Sequence, residues 1–184
     1  MFKRILGRSN LEVSALGLGC WAIGGPWTFV DRPAGWGQVD DGESIRAIHR
    51  ALELGVNFFD TAANYGCGHS ERILGQALAG KRHGVVIATK FGRHVDEEKR
   101  VVTPYDDVVS HIRSDCEASL RRLNVEVIDL YQFHVGDYDP LKAEAVVEAL
   151  EDLVAAGKIR WYGWSTDNPA GARVFAQGEH CTAI

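Results

Sequence analysis

No stretch of this 184-residue chain is apolar for long enough to cross a bilayer, and MFKRILGRSN at its start lacks the apolar core of a secretory leader. The expectation is therefore a cytoplasmic protein without a membrane partner. The four cysteines (Cys20, Cys67, Cys116 and Cys181) are scattered and form no CxxC pair, which argues against a disulfide framework or a thiol redox motif. Charge of one sign is scarce too. The net charge of −5 is mixed along the chain with no basic stripe, so nucleic acid is not an expected partner. Neither a GxGxxG turn nor a P-loop is present, and the first glycine-rich turn reads Gly19-Cys20-Trp21-Ala22-Ile23-Gly24-Gly25. Cys67 and His69 form a pair of metal-type ligands without a third at suitable spacing, so no metal is expected. No linker or low-complexity tract divides residues 1–184, which makes one domain the natural reading.

What is present is a regular alternation of short apolar runs and helical periodicities. Residues 3–14 read as a β-hairpin turning at Gly7-Arg8-Ser9-Asn10, and Leu16 to Gly19 as a short strand. Residues 24–42 form a Gly- and Pro-rich loop whose Trp27, Phe29 and Trp36 either line a pocket or cover the loop's own small core. Ile45, Ile48 and Leu52 mark a helix stopped by Gly55, and Val56 to Phe59 a strand. Leu74, Ala77 and Leu78 mark a second helix, and Val85 to Thr89 the next strand. Thr103-Pro104 is expected to open a third helix as N-cap and first helical residue, with Val108, Ile112, Cys116, Leu120 and Leu123 on its apolar face. Strands at 128–133 and 159–164 flank a helix over 146–154, and Cys181 to Ile184 begins a sixth strand.

Nearly all-apolar strands alternating with amphipathic helices imply a parallel sheet covered by helices. The spacing suits a doubly wound open sheet or a (β/α)8 barrel. In either, the loops at the carboxyl ends of the strands share one face, and that face carries the active site. Asp60, Lys90, His134 and Ser165 stand at successive strand ends, with Tyr65 in the loop after Asp60. Consecutive strands are neighbours in a barrel, which favours that architecture. A barrel takes roughly 250 residues, so under this reading the sequence holds five βα units and the start of a sixth strand, an α/β partial TIM barrel incomplete at its C-terminus.

The residues around those strand ends are specific. DTAANYGCGHSERILGQAL, VVIATK and DLYQFH, together with the N-terminal hairpin and Gly163-Trp164-Ser165, resemble the aldo-keto reductase family over nearly the whole chain. The resemblance implies a (β/α)8 barrel that reduces aldehyde or ketone carbonyls with NADPH, or with NADH. It carries the family's catalytic tetrad onto Asp60, Tyr65, Lys90 and His134, and puts Cys20, Trp21, Ser165 and Thr166 beside the nicotinamide. Ser165-Thr166 departs from the Ser-Asn common in the family at that place.

The chemistry of the four residues suits such a reaction independently. Reducing a carbonyl takes a hydride at carbon and a proton at oxygen. A free phenol, with a pKa of about 10, holds its proton too tightly, and an adjacent ammonium favours its release. Lys90 is thus the expected partner of Tyr65, Asp60 the counter-ion of Lys90, and His134 a donor that polarises the carbonyl. Singly, each has an ordinary alternative: a loop cap, a partly buried tyrosine, a solvated lysine, a satisfied histidine. Together they favour a reductase over a cofactor-binding regulatory barrel, an inactive fragment or a metal-dependent hydrolase. The aromatic loop is expected to flank the pocket and favour apolar or aromatic substrates. As a partial barrel the chain is expected to bind NADPH weakly and to self-associate through open edges.

Overall fold

A computed structural model describes all of residues 1–184. The chain opens with β1 (Lys3–Ile5) and β2 (Glu12–Ser14), an antiparallel hairpin as expected. Next come β3 (Leu18–Gly19), β4 (Trp27–Phe29), β5 (Arg32–Ala34) and helix α1 (Asp41–Glu53). The Asp40 carboxylate caps α1 by accepting from the Glu43 amide at 2.7 Å, so the helix starts at Asp41, four residues before Ile45, its first apolar position. Strand β6 (Phe58–Asp60), helix α2 (His69–Ala77) and strand β7 (Val86–Phe91) follow. Then come β8 (Arg93–Asp96), β9 (Val101–Pro104), α3 (Ile112–Leu123), β10 (Ile128–Phe133), α4 (Ala143–Ala155), β11 (Ile159–Trp164), α5 (Pro169–Phe175) and β12 (Cys181–Ala183). No helix is long and apolar enough to cross a membrane.

The main sheet has six parallel strands in the order β3-β6-β7-β10-β11-β12, so order in space equals order in sequence. A doubly wound sheet reverses direction partway along its order. This one never does, and its helices follow one another along a single winding. The fold is a partial (β/α)8 barrel.

Strand alternation divides the side chains between two environments. Phe59, Ile87, Tyr131, Phe133, Tyr162 and Trp164 are fully or nearly fully buried and pack in the layer shared with Ile48, Leu74, Ile112, Leu123, Leu150 and Phe175 of the helices. The opposite face holds Phe58, Val86 and Trp161, and Leu11 and Val13 of the hairpin pack against these three. Asn57 fastens the hairpin to the sheet. Its Oδ1 accepts from the Ser14 amide at 2.6 Å, and its Nδ2 donates to the carbonyls of Glu12 and Gly84. Asp129 ties three strands together at the same end: it accepts from the Ile87 amide at 2.9 Å and from the guanidinium groups of Arg82 and Arg160.

Two stretches differ from the sequence reading. Thr103 and Pro104 do not open a helix. They end β9, which pairs antiparallel with β8 and parallel with β4, and α3 begins at Ile112 after a short 3-10 turn. Val101, Val102 and Thr103 are β-branched, and a residue preceding proline is held extended, so the stretch suits a strand end as well as a helix start, and pairing with β4 and β8 selects the strand. The 24–42 loop supplies β4 and β5 to the resulting four-stranded sheet, ordered β5-β4-β9-β8. Its aromatics divide between the two expected roles. Trp27 is buried in a small cluster with Cys67 and Val102, and Phe29 packs on that cluster, whereas Trp36 is exposed.

Candidate active site

The carboxyl ends of β6, β7 and β10 bring Asp60, Lys90 and His134 together, and the loop after β6 adds Tyr65. Asp60 pairs in register with Ala88, and Gln132 with Lys90. Residues two apart point the same way, so Asp60, Lys90 and Gln132 share one side of the sheet at adjacent levels.

Lys90 is the centre of the arrangement. It is buried, and its ammonium donates to Asp60 Oδ1 at 2.5 Å, to the Thr61 carbonyl at 2.9 Å and to Tyr65 Oη at 3.1 Å. An ammonium has three protons, and all three are engaged. A buried cation is tolerated only when paired and fully hydrogen-bonded, and here it is both. The second oxygen of Asp60 faces the Gln132 amide, with Nε2 at 3.4 Å.

Tyr65 accepts the Lys90 hydrogen bond, which leaves its own O–H directed elsewhere. The loop that carries it is held by close backbone approach. A Cβ on Gly66, whose φ is +61°, would stand 1.8 Å from the Gly24 carbonyl oxygen. Only glycine satisfies both the left-handed backbone and that contact. The Trp21 ring stacks on Tyr65 with centroids 6.0 Å apart, and Trp36 meets Trp21 edge-on at 5.5 Å. Trp21 and Trp36 thus form an exposed aromatic wall beside the phenol.

His134 meets Tyr65 edge-on at 6.2 Å, and its backbone amide is anchored to the Phe91 carbonyl. Burial, followed by the nearby cations Lys90 and Arg93, pushes its imidazole down to about 4. The ring is therefore neutral near pH 7, and one of its nitrogens carries a proton it can donate. Cys20 has the opposite character. It is fully buried, and burial, reinforced by Asp60 and partly opposed by Lys90, pushes its thiol up to about 12, so it offers no nucleophile. Its carbonyl accepts from the Ser70 hydroxyl, which also meets Thr61 Oγ1 at 2.9 Å, binding the first loop to the second.

Ser165 and Thr166 follow β11 on the same face. The Ser165 amide donates to the Phe133 carbonyl, and its hydroxyl makes no hydrogen bond within the chain. The Thr166 hydroxyl is occupied, donating to the Gly136 carbonyl at 2.9 Å and accepting from the Asn168 amide at 3.0 Å. Neither residue hydrogen-bonds to the four at the centre.

Three contributors escaped the sequence reading. Gln132 stands two residues before His134 inside DLYQFH, and strand alternation alone could have found it. Thr61 acts through its backbone carbonyl, for which side-chain identity is no guide. The third is a buried ion pair behind β7. Glu71 on α2, fully buried, accepts from Thr89 Oγ1 at 2.5 Å and from Arg122 Nε at 2.6 Å. Arg122 also reaches Glu97 and Ser119. Thr89 immediately precedes Lys90, so this pair anchors the strand that carries the ammonium from its opposite side.

The family profile of the aldo/keto reductase family matches residues 15–176. The Bacillus subtilis (strain 168) protein named uncharacterized oxidoreductase YqkF is 32% identical over 184 residues, which is all of this chain and 55% of that protein. Among solved structures, the holo form of aldo-keto reductase AKR11C1 from Bacillus halodurans superposes with a TM-score of 0.83 at 34% identity, covering 98% of this chain and 55% of that one. The aldo-keto reductase of Klebsiella pneumoniae in complex with NADPH gives a TM-score of 0.74 at 28% identity, covering 98% of this chain and 57% of that one. The chain thus spans about half the length of the relatives it matches. It belongs to the aldo/keto reductase family.

Proposed function

We propose that this chain carries the proton-donating end of an NAD(P)H-dependent oxidoreductase that reduces aldehyde or ketone carbonyls to alcohols, with Tyr65 as general acid. The observation that carries the reading is the saturation of the Lys90 ammonium. One of its protons rests on Tyr65 Oη at 3.1 Å, and the other two are taken by Asp60 and the Thr61 carbonyl. That bond occupies a lone pair of the phenol, so the phenolic proton is directed toward a carbonyl oxygen in the mouth of the site. When the proton leaves, the phenolate forms beside a cation already in place and needing no reorganisation.

His134 is the second donor to the same oxygen. A neutral imidazole polarises the carbonyl without competing with Tyr65 to deliver the proton. Asp60 keeps the buried ammonium paired, and Gln132 holds the second oxygen of Asp60. In the reverse direction the Tyr65 phenolate takes the proton from the alcohol.

A nicotinamide cofactor, when bound, supplies the hydride that adds to the carbonyl carbon. The donor set suits its carboxamide in part. The uncommitted Ser165 hydroxyl is available to it, and Trp21 offers an exposed ring at the mouth. Thr166 fits poorly, because its hydroxyl already holds two loop contacts. That the Klebsiella pneumoniae relative was solved with NADPH supports the same cofactor class for this protein.

Replacement of Tyr65 by phenylalanine tests the assignment. Loss of a positioned acid costs about 10²–10⁴ in turnover, while nicotinamide binding, followed by protein fluorescence, should persist. Equal turnover by the wild-type and Tyr65→Phe proteins would remove Tyr65 from the mechanism.

A further inference from the structure

Ser70 stands where the segments that carry the site are joined from behind. It opens the buried stripe of α2, at helical spacing with Ile73, Leu74 and Ala77, and it has no exposed surface. A hydroxyl in such a place is tolerated only when it is hydrogen-bonded. This one is bonded twice. Its proton goes to the Cys20 carbonyl at 2.7 Å, and its oxygen meets Thr61 Oγ1 at 2.9 Å. A hydroxyl has a single proton, so in the second bond Thr61 donates and Ser70 accepts. The relay therefore runs in one sense, from Thr61 through Ser70 to Cys20.

The Ser70 backbone adds a third tie. Helix α2 starts behind Gly68, which has no side chain to cap the free amides of the first turn. The Ser70 amide donates instead to the Tyr65 carbonyl at 3.2 Å. Each of the three partners bears on the candidate site. The Thr61 carbonyl takes one proton of the Lys90 ammonium at 2.9 Å. Cys20 precedes Trp21, whose ring stacks on Tyr65, and Tyr65 is the phenol itself. Cys20 and Thr61 have no exposed surface either, so neither has solvent to turn to if the hydroxyl is lost.

From this geometry we infer that Ser70 is a positioning residue for proton transfer, its hydroxyl fixing Thr61 so that the Lys90 ammonium is held against Tyr65 Oη. The inference rests on the reductase reading given above. Removing the hydroxyl leaves the Thr61 donor and the Cys20 acceptor buried and unpaired. Thr61 then turns toward another acceptor and carries its carbonyl away from the Lys90 ammonium. The first loop loses its brace at the same time, and with it the seat of Trp21 on Tyr65.

The test compares Ser70→Ala with Ser14→Ala. Ser14 is a buried serine at the other end of the sheet, and its hydroxyl donates to the Leu16 carbonyl at 2.7 Å and accepts from the Asn57 amide at 3.0 Å. Its loss is a matched loss of buried hydrogen bonds without a link to the site. With benzaldehyde and NADPH, Ser70→Ala should lose kcat by up to about 10²-fold, the cost of roughly an ångström of misplacement, with KM little changed. Its pH profile of kcat should be displaced, whereas that of Ser14→Ala should superpose on the wild type. Ser70→Cys, a weaker donor and acceptor, should recover part of kcat. A second readout needs no turnover. In chains labelled with the heavy carbon isotope at tyrosine Cζ, the Tyr65 NMR signal is the one missing from Tyr65→Phe, and Lys90→Met marks its position once the ammonium is gone. Ser70→Ala should move that signal toward the Lys90→Met position, and Ser14→Ala should leave it in place. Should Ser70→Ala fail to fold, Thr61→Val breaks the same bridge from its other end and is judged by the same signal. An unmoved Tyr65 signal, or a kcat loss no greater than that of Ser14→Ala, would overturn the inference. If no carbonyl compound is reduced, the reductase reading fails by itself, and the Tyr65 signal alone decides whether Ser70 sets the bond between Lys90 and Tyr65.

Discussion

Replacing Arg122 by methionine removes the cation from the buried pair behind β7 while keeping most of the side-chain stem. Its partner Glu71 has no exposed surface, and the Arg122 side chain is only 7% exposed. In the variant the Glu71 carboxylate retains one partner, the Thr89 hydroxyl, in a site without access to water. Breaking a buried pair on one side costs about 3–5 kcal/mol, far more than an exposed pair is worth. For a chain of this size, at roughly 2–4 °C per kcal/mol, the melting temperature should fall by about 6–20 °C. Glu71→Gln should cost less, about 1–3 kcal/mol, since the guanidinium keeps Glu97 and Ser119 as acceptors. The double variant Glu71→Gln/Arg122→Met buries no charge and should be more stable than Arg122→Met alone. Urea denaturation of the four proteins closes the cycle, provided each unfolds in two states. Additive losses, or an Arg122→Met protein within about 0.5 kcal/mol of wild type, would show that the pair is not an energetic unit.

Gly66→Ala should destabilise by at least about 2 kcal/mol in thermal unfolding, because a methyl there meets the Gly24 carbonyl oxygen from a left-handed backbone; an unchanged midpoint would contradict the close approach. His134 binds its proton at about 4 in the folded chain against 6.5 as a free imidazole. Between those values the unfolded chain carries the extra proton, so stability falls as pH drops through the window, by up to about 3 kcal/mol. His134→Gln should lose that part of the pH dependence, and identical urea midpoints against pH for the two proteins would refute it. Lys90→Met should lower turnover by about 10² or more and displace the pH profile of what remains; a profile that keeps its shape would mean that Lys90 does not assist the acid.

Much of the candidate site's assembly was legible in the residues alone. Asp60, Lys90 and His134 each terminate an apolar run, and in a parallel sheet every such run ends on the same face, so their convergence follows from one-dimensional order. The hairpin, the strand order and the helices over α1, α2 and α4 were legible for the same reason: their periodicities are local, and successive βα units pack as neighbours. Tertiary structure decided what depends on partners distant in sequence. Thr103-Pro104 satisfies the local rules for a helix start as well as for a strand end, and only pairing with β4 and β8 selects the strand. Trp27 and Trp36 are chemically alike, yet one is enclosed by Cys67 and Val102 and the other stands at the mouth. That Lys90 would find its third acceptor in the Thr61 carbonyl could not be read from a side chain, because every residue has that group.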